Sequence, residues 1–312
     1  MIILFVSSGN NITGISPIVK KQGESLIKQG HDVHFYRING KGIKGYLKNI
    51  KPLKKVINQL KPDVIHAHYS LCGYVTSLTR TKVPIVTSLM GSDAVVKGFW
   101  NSLIKWHIRK KWNKTITKTE EMKQFLNMSE ITVLPNGVDM ELFKPIPKEK
   151  AQNELGWEID QFHILFAANP ERPEKNYNLF EESIDILKPQ LENVVIHVLK
   201  DVPHKNIPTM MNAADVVVLS SLREGSPNVI KEAMACSRPI VTTNVGDVDK
   251  IVSSVEGCII VNFSAKEMAE ALKEVITKKI QQTTGQDFIQ SYLSEEIIAK
   301  KLINIYKSIQ SA

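Results

Sequence analysis

Cysteine is scarce in this chain of 312 residues: Cys72, Cys236 and Cys258 are its only three. Their odd number and wide spacing fit neither a disulfide framework nor a zinc-ligand pattern, so a reducing cytoplasm is the expected setting. No segment approaches the roughly 18 consecutive apolar residues that a helical membrane span needs. The apolar opening segment, Met1–Val6, lacks a basic leader and a small-residue cleavage site, and so predicts a buried first strand rather than a signal peptide. There is neither a low-complexity tract nor an internal repeat of solenoid period. Acidic residues are few in the first half. Residues 1–145 carry 9 Asp/Glu against 22 Lys/Arg, whereas residues 146–312 carry 23 against 18, within a net charge of +8. A first half so short of negative charge expects an anionic partner, and charge alone admits nucleic acid, a membrane surface or an acidic substrate.

What is present is ordinary globular material, 43% hydrophobic and 23% charged. Short apolar runs alternate with amphipathic helical stretches. Strands are predicted at Ile2–Val6, Val33–Tyr36, Val64–His66, Ile85–Ser88, Thr115–Thr117 and Ile131–Leu134. A second series falls near His163–Ala167, Val194–Leu199, Asp215–Leu219, Pro239–Thr242 and Cys258–Val261. Helical periodicity lies between them, as in Pro17–Gln29, Lys51–Leu60, Glu120–Asn127, Tyr177–Leu187, Val229–Ala235 and Lys266–Thr277. Such alternation implies an α/β fold with two doubly wound parallel sheets. The turn signals of 135–150 place the boundary there: domains at 1–145 and 146–293, then a terminal amphipathic helix within 294–312. In such sheets ligands bind where strands end and helices begin, which points to the cleft between the domains.

The sharpest string is Ser220-Ser-Leu-Arg-Glu-Gly-Ser-Pro-Asn-Val-Ile-Lys-Glu-Ala-Met-Ala. It follows a buried strand, turns at Gly225, Ser226 and Pro227, and enters a helix near Asn228. A loop opening into a helix suits a phosphate, because the first N–H groups are unpaired and the helix dipole favours anions. A carboxylate close by suits ribose hydroxyls, since an ionised Glu accepts two of them. The segment resembles the donor-binding signature of the family 4 retaining glycosyltransferases, which have the GT-B fold. Other segments agree in order. Leu134-Pro-Asn-Gly-Val-Asp139, with Phe143 and Pro145, resembles the interdomain connection. Pro173-Glu-Lys175 resembles the phosphate loop, and Asn212-Ala-Ala-Asp-Val216 the strand entry before the Glu motif. Gly30-His-Asp-Val33 and Asp63-Val-Ile-His-Ala-His68 resemble strands of the first domain.

The resemblance implies a retaining transferase moving a hexose-type sugar from a nucleotide sugar, with UDP-sugar favoured and GDP-sugar open, to a glycan, lipid-linked or small-molecule acceptor. It implies that Glu232 holds the ribose, that Glu224 faces the sugar, and that Gly225, Ser226, Asn228 and Val229 meet the diphosphate or sugar. Lys175 neutralises the departing diphosphate. Arg172 is a second cation, two residues later than the family's arginine, whose place is taken by Pro170. Gly14, in the loop Ser7–Gly14, matches a glycine-rich turn. On the acceptor side stand His66, His68, Met90, Gly91 and Asp93. Met90 occupies the place where relatives carry a His, and a thioether neither donates a hydrogen bond nor shuttles a proton. No cofactor and no metal is expected, on the ground that no Asp-x-Asp pair falls in a suitable loop, and no nucleophile is assigned. Nucleic acid is not the expected partner. Trp100, Leu103, Ile104, His107 and Ile108 lie at helical spacing beside Lys105, Arg109, Lys110 and Lys111, which suits either a core-facing stripe or an anionic membrane interface. A nucleotide-sugar epimerase and a non-catalytic nucleotide- or membrane-binding protein of the same fold are the rival readings.

Overall fold

The computed structural model describes residues 1–10, 14–190 and 193–310. The chain forms two compact units, Met1–Gly137 with Glu295–Ala312, and Val138–Ser294. Each unit is a parallel-sheet, Rossmann-like α/β domain. The division falls at Gly137–Val138, eight positions ahead of the break expected after residue 145. The segment 138–145 joins the second unit because Val138 N–H donates to Leu293 O (2.9 Å) and Asn212 Nδ2 donates to Lys144 O (3.0 Å).

The first unit runs β1 (Ile2–Ser8), α1 (Pro17–Lys28), β2 (Asp32–Ile38), α2 (Gly42–Leu47), α3 (Ile50–Leu60), β3 (Val64–His68), α4 (Ser70–Leu78), β4 (Ile85–Ser88), α5 (Phe99–Lys110), β5 (Lys114–Thr117), α6 (Glu120–Leu126) and β6 (Thr132–Val133). Its six strands are all parallel, in the order β2-β1-β3-β4-β5-β6. Ile3 pairs with Val33 on one side and Val64 on the other. Ile3–Val6 is wholly buried, as a strand covered on both faces must be. Local chemistry sets the helix starts. Ser16 caps α1 ahead of Pro17, and Thr119 caps α6 ahead of two glutamates.

The second unit runs α7 (Lys148–Leu155), β7 (Phe162–Phe166), α8 (Tyr177–Leu187), β8 (Val194–Val198), α9 (Ile207–Ala213), β9 (Val216–Leu219), α10 (Asn228–Ala235), β10 (Ile240–Thr243), α11 (Val248–Val252), β11 (Cys258–Val261), α12 (Ala265–Thr277) and α13 (Gly285–Phe288). Strand order is β11-β10-β9-β7-β8, again all parallel. Its core joins Ile164, Phe166, Val216 and Val218 of the sheet to Phe180, Ile184, Met268 and Leu272 of α8 and α12. The last helix, α14 (Glu295–Gln310), returns to the first unit and packs on α1. Its Leu302 and Tyr306 are fully buried.

Candidate functional site

In the second unit the sheet order reverses at β7, whose neighbours are β8 on one side and β9 on the other. Loops leaving such a switch point diverge and open a crevice at the strands' carboxyl ends. Here those loops are tied together. After β7 the chain enters a short 3₁₀ turn, Pro173–Lys175, and Asn176 caps it in the left-handed region (φ 51°), which asparagine tolerates. Ser220 Oγ, at the end of β9, donates to Lys175 O (3.0 Å) and Asn176 O (2.9 Å), and Leu222 N–H donates to Glu174 O (2.9 Å). These bonds bring together two side chains 49 positions apart. Lys175 Nζ meets Glu224 Oε1 at 2.5 Å, with both side chains more than four-fifths buried. Ser221 Oγ donates to the same carboxylate oxygen at 2.8 Å.

The loop after β10 ties on as well. Thr243 Oγ1 donates to Ser221 O (2.8 Å) and Asp247 N–H to Gly225 O (3.1 Å). Gly246, at φ 62°, lies so close under the turn that a Cβ would stand 2.0 Å from Gly225 O. Only glycine fits there, on steric and conformational grounds together. The turn then delivers α10. Its N-cap, Pro227, supplies no side-chain acceptor, so the first-turn N–H groups of Asn228 and Val229 keep their capacity to bind an anion. Glu232 lies one turn on, its side chain 16% exposed, with His204 Nε2 3.8 Å away. The ring of His204 packs edge-on to Phe143 at 5.5 Å. Lys175, Glu224, Gly225, Asn228, Val229 and Glu232 therefore gather at one end of one sheet.

Three expected donor contacts look different. Arg172 has an exposed side chain that pairs with Glu174 at 2.5 Å. Ser226 turns its hydroxyl inward, accepting from Lys231 Nζ at 3.1 Å and facing the Asp247 carboxylate. Gly14 stands in the first unit at φ 79°, with space at its Cβ position bounded by the Arg37 guanidinium; residues 11–13 of its loop lie outside the described residues. Asp247 and Asp249 do form an Asp-x-Asp pair at the β10 loop, contrary to the sequence reading, but Asp247 faces Ser226. Among the described residues no three His, Cys, Asp or Glu side chains cluster as a cation site.

The acceptor-side expectations change more. His66 is wholly buried, with Nδ1 2.6 Å from Tyr306 Oη and Nε2 2.8 Å from Ser88 Oγ. His68 is 3% exposed, its ring 4.5 Å from that of Phe5. Burial, then neighbouring positive groups, pushes both imidazoles well below the usual histidine range, so both are neutral core residues. Asp93 is 2% exposed and staples its loop: Oδ1 accepts from Met90 N–H (2.8 Å) and Gly91 N–H (3.0 Å), and Oδ2 from Ser70 N–H (2.8 Å) at the start of α4. Burial raises its pKa while these bonds oppose the rise. Its oxygens are thus taken up by backbone, and Met90 and Gly91 are the half-exposed part of that loop. Sequence reasoning missed Gly246, Asp247, Lys231 and His204. It also missed Tyr69, held at φ 90° where β3 meets α4, beside the first sheet's own switch point. The Gly-Asp pair just after the β10 run was the one available sign of the Gly246 loop.

Known proteins resemble the chain in sequence family and in fold. Residues 154–278 match the family described as "Glycosyl transferases group 1", and residues 4–118 the family "Glycosyl transferase 4-like". The chain belongs to the group 1, family 4-like glycosyltransferases. It is 27% identical over 285 residues to TuaC of Bacillus subtilis, assigned as a teichuronic acid biosynthesis glycosyltransferase, covering 80% of this chain and 72% of that one. It is 25% identical over 308 residues to the N,N'-diacetylbacillosaminyl-diphospho-undecaprenol alpha-1,3-N-acetylgalactosaminyltransferase of Campylobacter jejuni, covering 84% and 81%. Among solved structures, Anabaena HepE in complex with UDP superposes with a TM-score of 0.81 at 16% identity over 99% of this chain and 100% of that one, which bears on the fold.

Proposed function

We propose that the second unit binds a nucleotide sugar and that the protein transfers the sugar, with retention, to a glycan or lipid-linked acceptor. The observation that carries this reading is the Lys175–Glu224 pair at the switch point, beside the uncapped start of α10. The diphosphate sits on the first turn of α10. Lys175 stabilises the negative charge that develops as the bond between anomeric carbon and phosphate oxygen breaks. The acceptor oxygen forms the new bond on the same face, and its proton passes to the departing phosphate oxygen. Glu224, held by Lys175 and Ser221, receives hydroxyls of the sugar, and Glu232 receives those of the ribose. A uridine donor is favoured, in keeping with the UDP complex of the structurally similar HepE. The names of the two relatives, one a teichuronic acid enzyme and the other acting on a diphospho-undecaprenol, support a bacterial surface-glycan acceptor.

A lipid-linked acceptor brings the first unit toward an anionic membrane. No helix among the described residues is long and apolar enough to cross one. The α5 stripe divides between the two readings of it. Ile104, His107 and Ile108 are buried, while Phe99, Trp100 and Trp106 are exposed among Lys97, Arg109, Lys110 and Lys111. Exposed aromatics interleaved with cations suit a headgroup layer. Flotation with vesicles containing anionic lipid is expected to carry the protein at low salt and to fail after Trp100→Ser with Trp106→Ser; no flotation of the unaltered protein removes this part.

The donor reading is tested by a thermal-shift screen against UDP, GDP, ADP and their sugar conjugates, repeated with Glu232→Ala. A ligand that binds the folded state raises Tm by mass action. One nucleotide is expected to raise Tm, and the variant to lose the shift. No shift at millimolar concentration for any of them overturns the reading.

A further inference from the structure

Lys231 is wholly buried on α10, as are Ile230 and Ala233. An apolar side chain would serve packing there, and burying an ammonium is costly unless it is compensated. Its compensation is specific. Nζ donates to Ser226 Oγ at 3.1 Å, and the Asp247 carboxylate, whose Oδ1 is buried with no hydrogen-bond partner among the described residues, faces both groups. The hydroxyl therefore stands between a buried ammonium and a partly buried carboxylate, within the turn that carries Glu224 and Gly225 into α10. Burial pushes the Lys231 ammonium down to about 8, with Asp247 and Glu232 opposing, and pushes the Asp247 carboxyl up, with Ser226 and Lys231 opposing. The backbone beneath is equally constrained, since Gly246 admits no Cβ under Gly225.

We propose that Lys231, Ser226 and Asp247 form a positioning latch that holds the Glu224–Ser226 turn in the shape that receives the distal phosphate and sugar of the donor. The proposal rests on the donor reading above. None of the three side chains needs to touch the ligand; they fix the turn that does. Neutral replacement of both charges keeps the fold, because exchanging paired charges of low exposure for neutral groups is often neutral or stabilising, but it frees the turn.

The test is calorimetric binding of UDP and UMP, with GDP and GMP in parallel, to the full chain and to Ser226→Ala, Lys231→Met, Asp247→Asn and the double variant Lys231→Met with Asp247→Asn. Wild type binds the diphosphate more tightly than the monophosphate. In the double variant Tm is expected to stay within about 3 °C of wild type while diphosphate affinity falls about tenfold and monophosphate affinity stays within about twofold. Ser226→Ala, which deletes only the hydroxyl that accepts from Lys231, is expected to show the same selective loss, and it decides the matter if the charge variants do not fold. Diphosphate binding at wild-type strength in either the double variant or Ser226→Ala overturns the latch. So does a parallel loss of both ligands in step with Tm. If wild type binds no nucleotide at all, the donor reading itself falls, and the latch falls with it.

Discussion

Two pairs of residues stand out, one at the switch point of the second unit and one in the core of the first. Lys175 and Glu224 are the first. Lys175→Ala removes the cation that pairs with Glu224 at the switch point and leaves the Ser221 hydroxyl donating to that carboxylate. Transfer rate is expected to fall about 10²–10³-fold while the protein stays folded, measured by release of nucleoside diphosphate from the donor identified in the screen. A rate within a few-fold of wild type contradicts the role given to Lys175. His66 and Tyr306 are the second pair. Tyr306→Phe leaves a fully buried imidazole nitrogen without its 2.6 Å partner, at a cost of about 1–3 kcal/mol, read as a drop in Tm. The histidines also set a pH dependence. His66 and His68 are held below their ordinary pKa, and His197 is pushed down to about 4, in each case mainly by burial. The unfolded chain takes up these protons near pH 6.5 and the folded chain does not. Their contribution to stability is therefore intact above about 6.5 and is lost as pH falls, by about 1.4 kcal/mol per unit for each neutral imidazole. Tm is expected to decline steadily from pH 7 to pH 5, and His66→Gln to flatten that slope.

At the scale of elements, the site depends on how loops cross rather than on helices or strands as such. The loops after β7, β9 and β10 are sewn together by Ser220, Leu222, Thr243 and Asp247, and the tightest crossing is Gly246 under Gly225. Gly246→Ala places a methyl group against a backbone oxygen at a positive φ, and one of the two segments must shift. Nucleotide binding in the thermal-shift assay is expected to disappear while far-UV circular dichroism keeps its α/β form. An unchanged nucleotide shift would show that the crossing does not shape the turn. The elements themselves were largely legible. Every strand of both sheets was anticipated to within two residues at each end, because buried parallel strands are short apolar runs bounded by turns. The helices α2, α4, α7, α9, α11 and α13 were not singled out. All six are short, at four to nine residues, and short helices carry too little periodicity to announce themselves.

At the scale of the whole molecule, the first unit is closed by the end of the chain. Leu302 and Tyr306 of α14 are fully buried in it, and Gly137 lies against the Glu295 backbone, where a Cβ would stand 2.7 Å away. A chain ending at Ser294 deprives the first unit of that cover but leaves the second unit, Val138–Ser294, whole. Calorimetry of the shortened chain is expected to show the first unit's transition lost or strongly lowered, with the second unit's transition and its nucleotide response retained. Loss of both transitions together would mean that the units do not fold independently.

The amino-acid sequence by itself determined the alternation of strand and helix, the pairing of two parallel sheets and the Glu224–Glu232 string, because each is written in local periodicity or in one continuous segment. The meeting of Lys175 with Glu224, the inward turn of Ser226 and the clash that reserves position 246 for glycine were decided by tertiary structure. Each joins segments distant in sequence through the order of neighbouring strands, and no local pattern records which loops that order brings together. The same holds for the histidines. Their place at the end of β3 is legible in the sequence, but their neutrality follows from the Phe5, Ser88 and Tyr306 side chains that enclose them, and Tyr306 arrives 240 positions later in the chain.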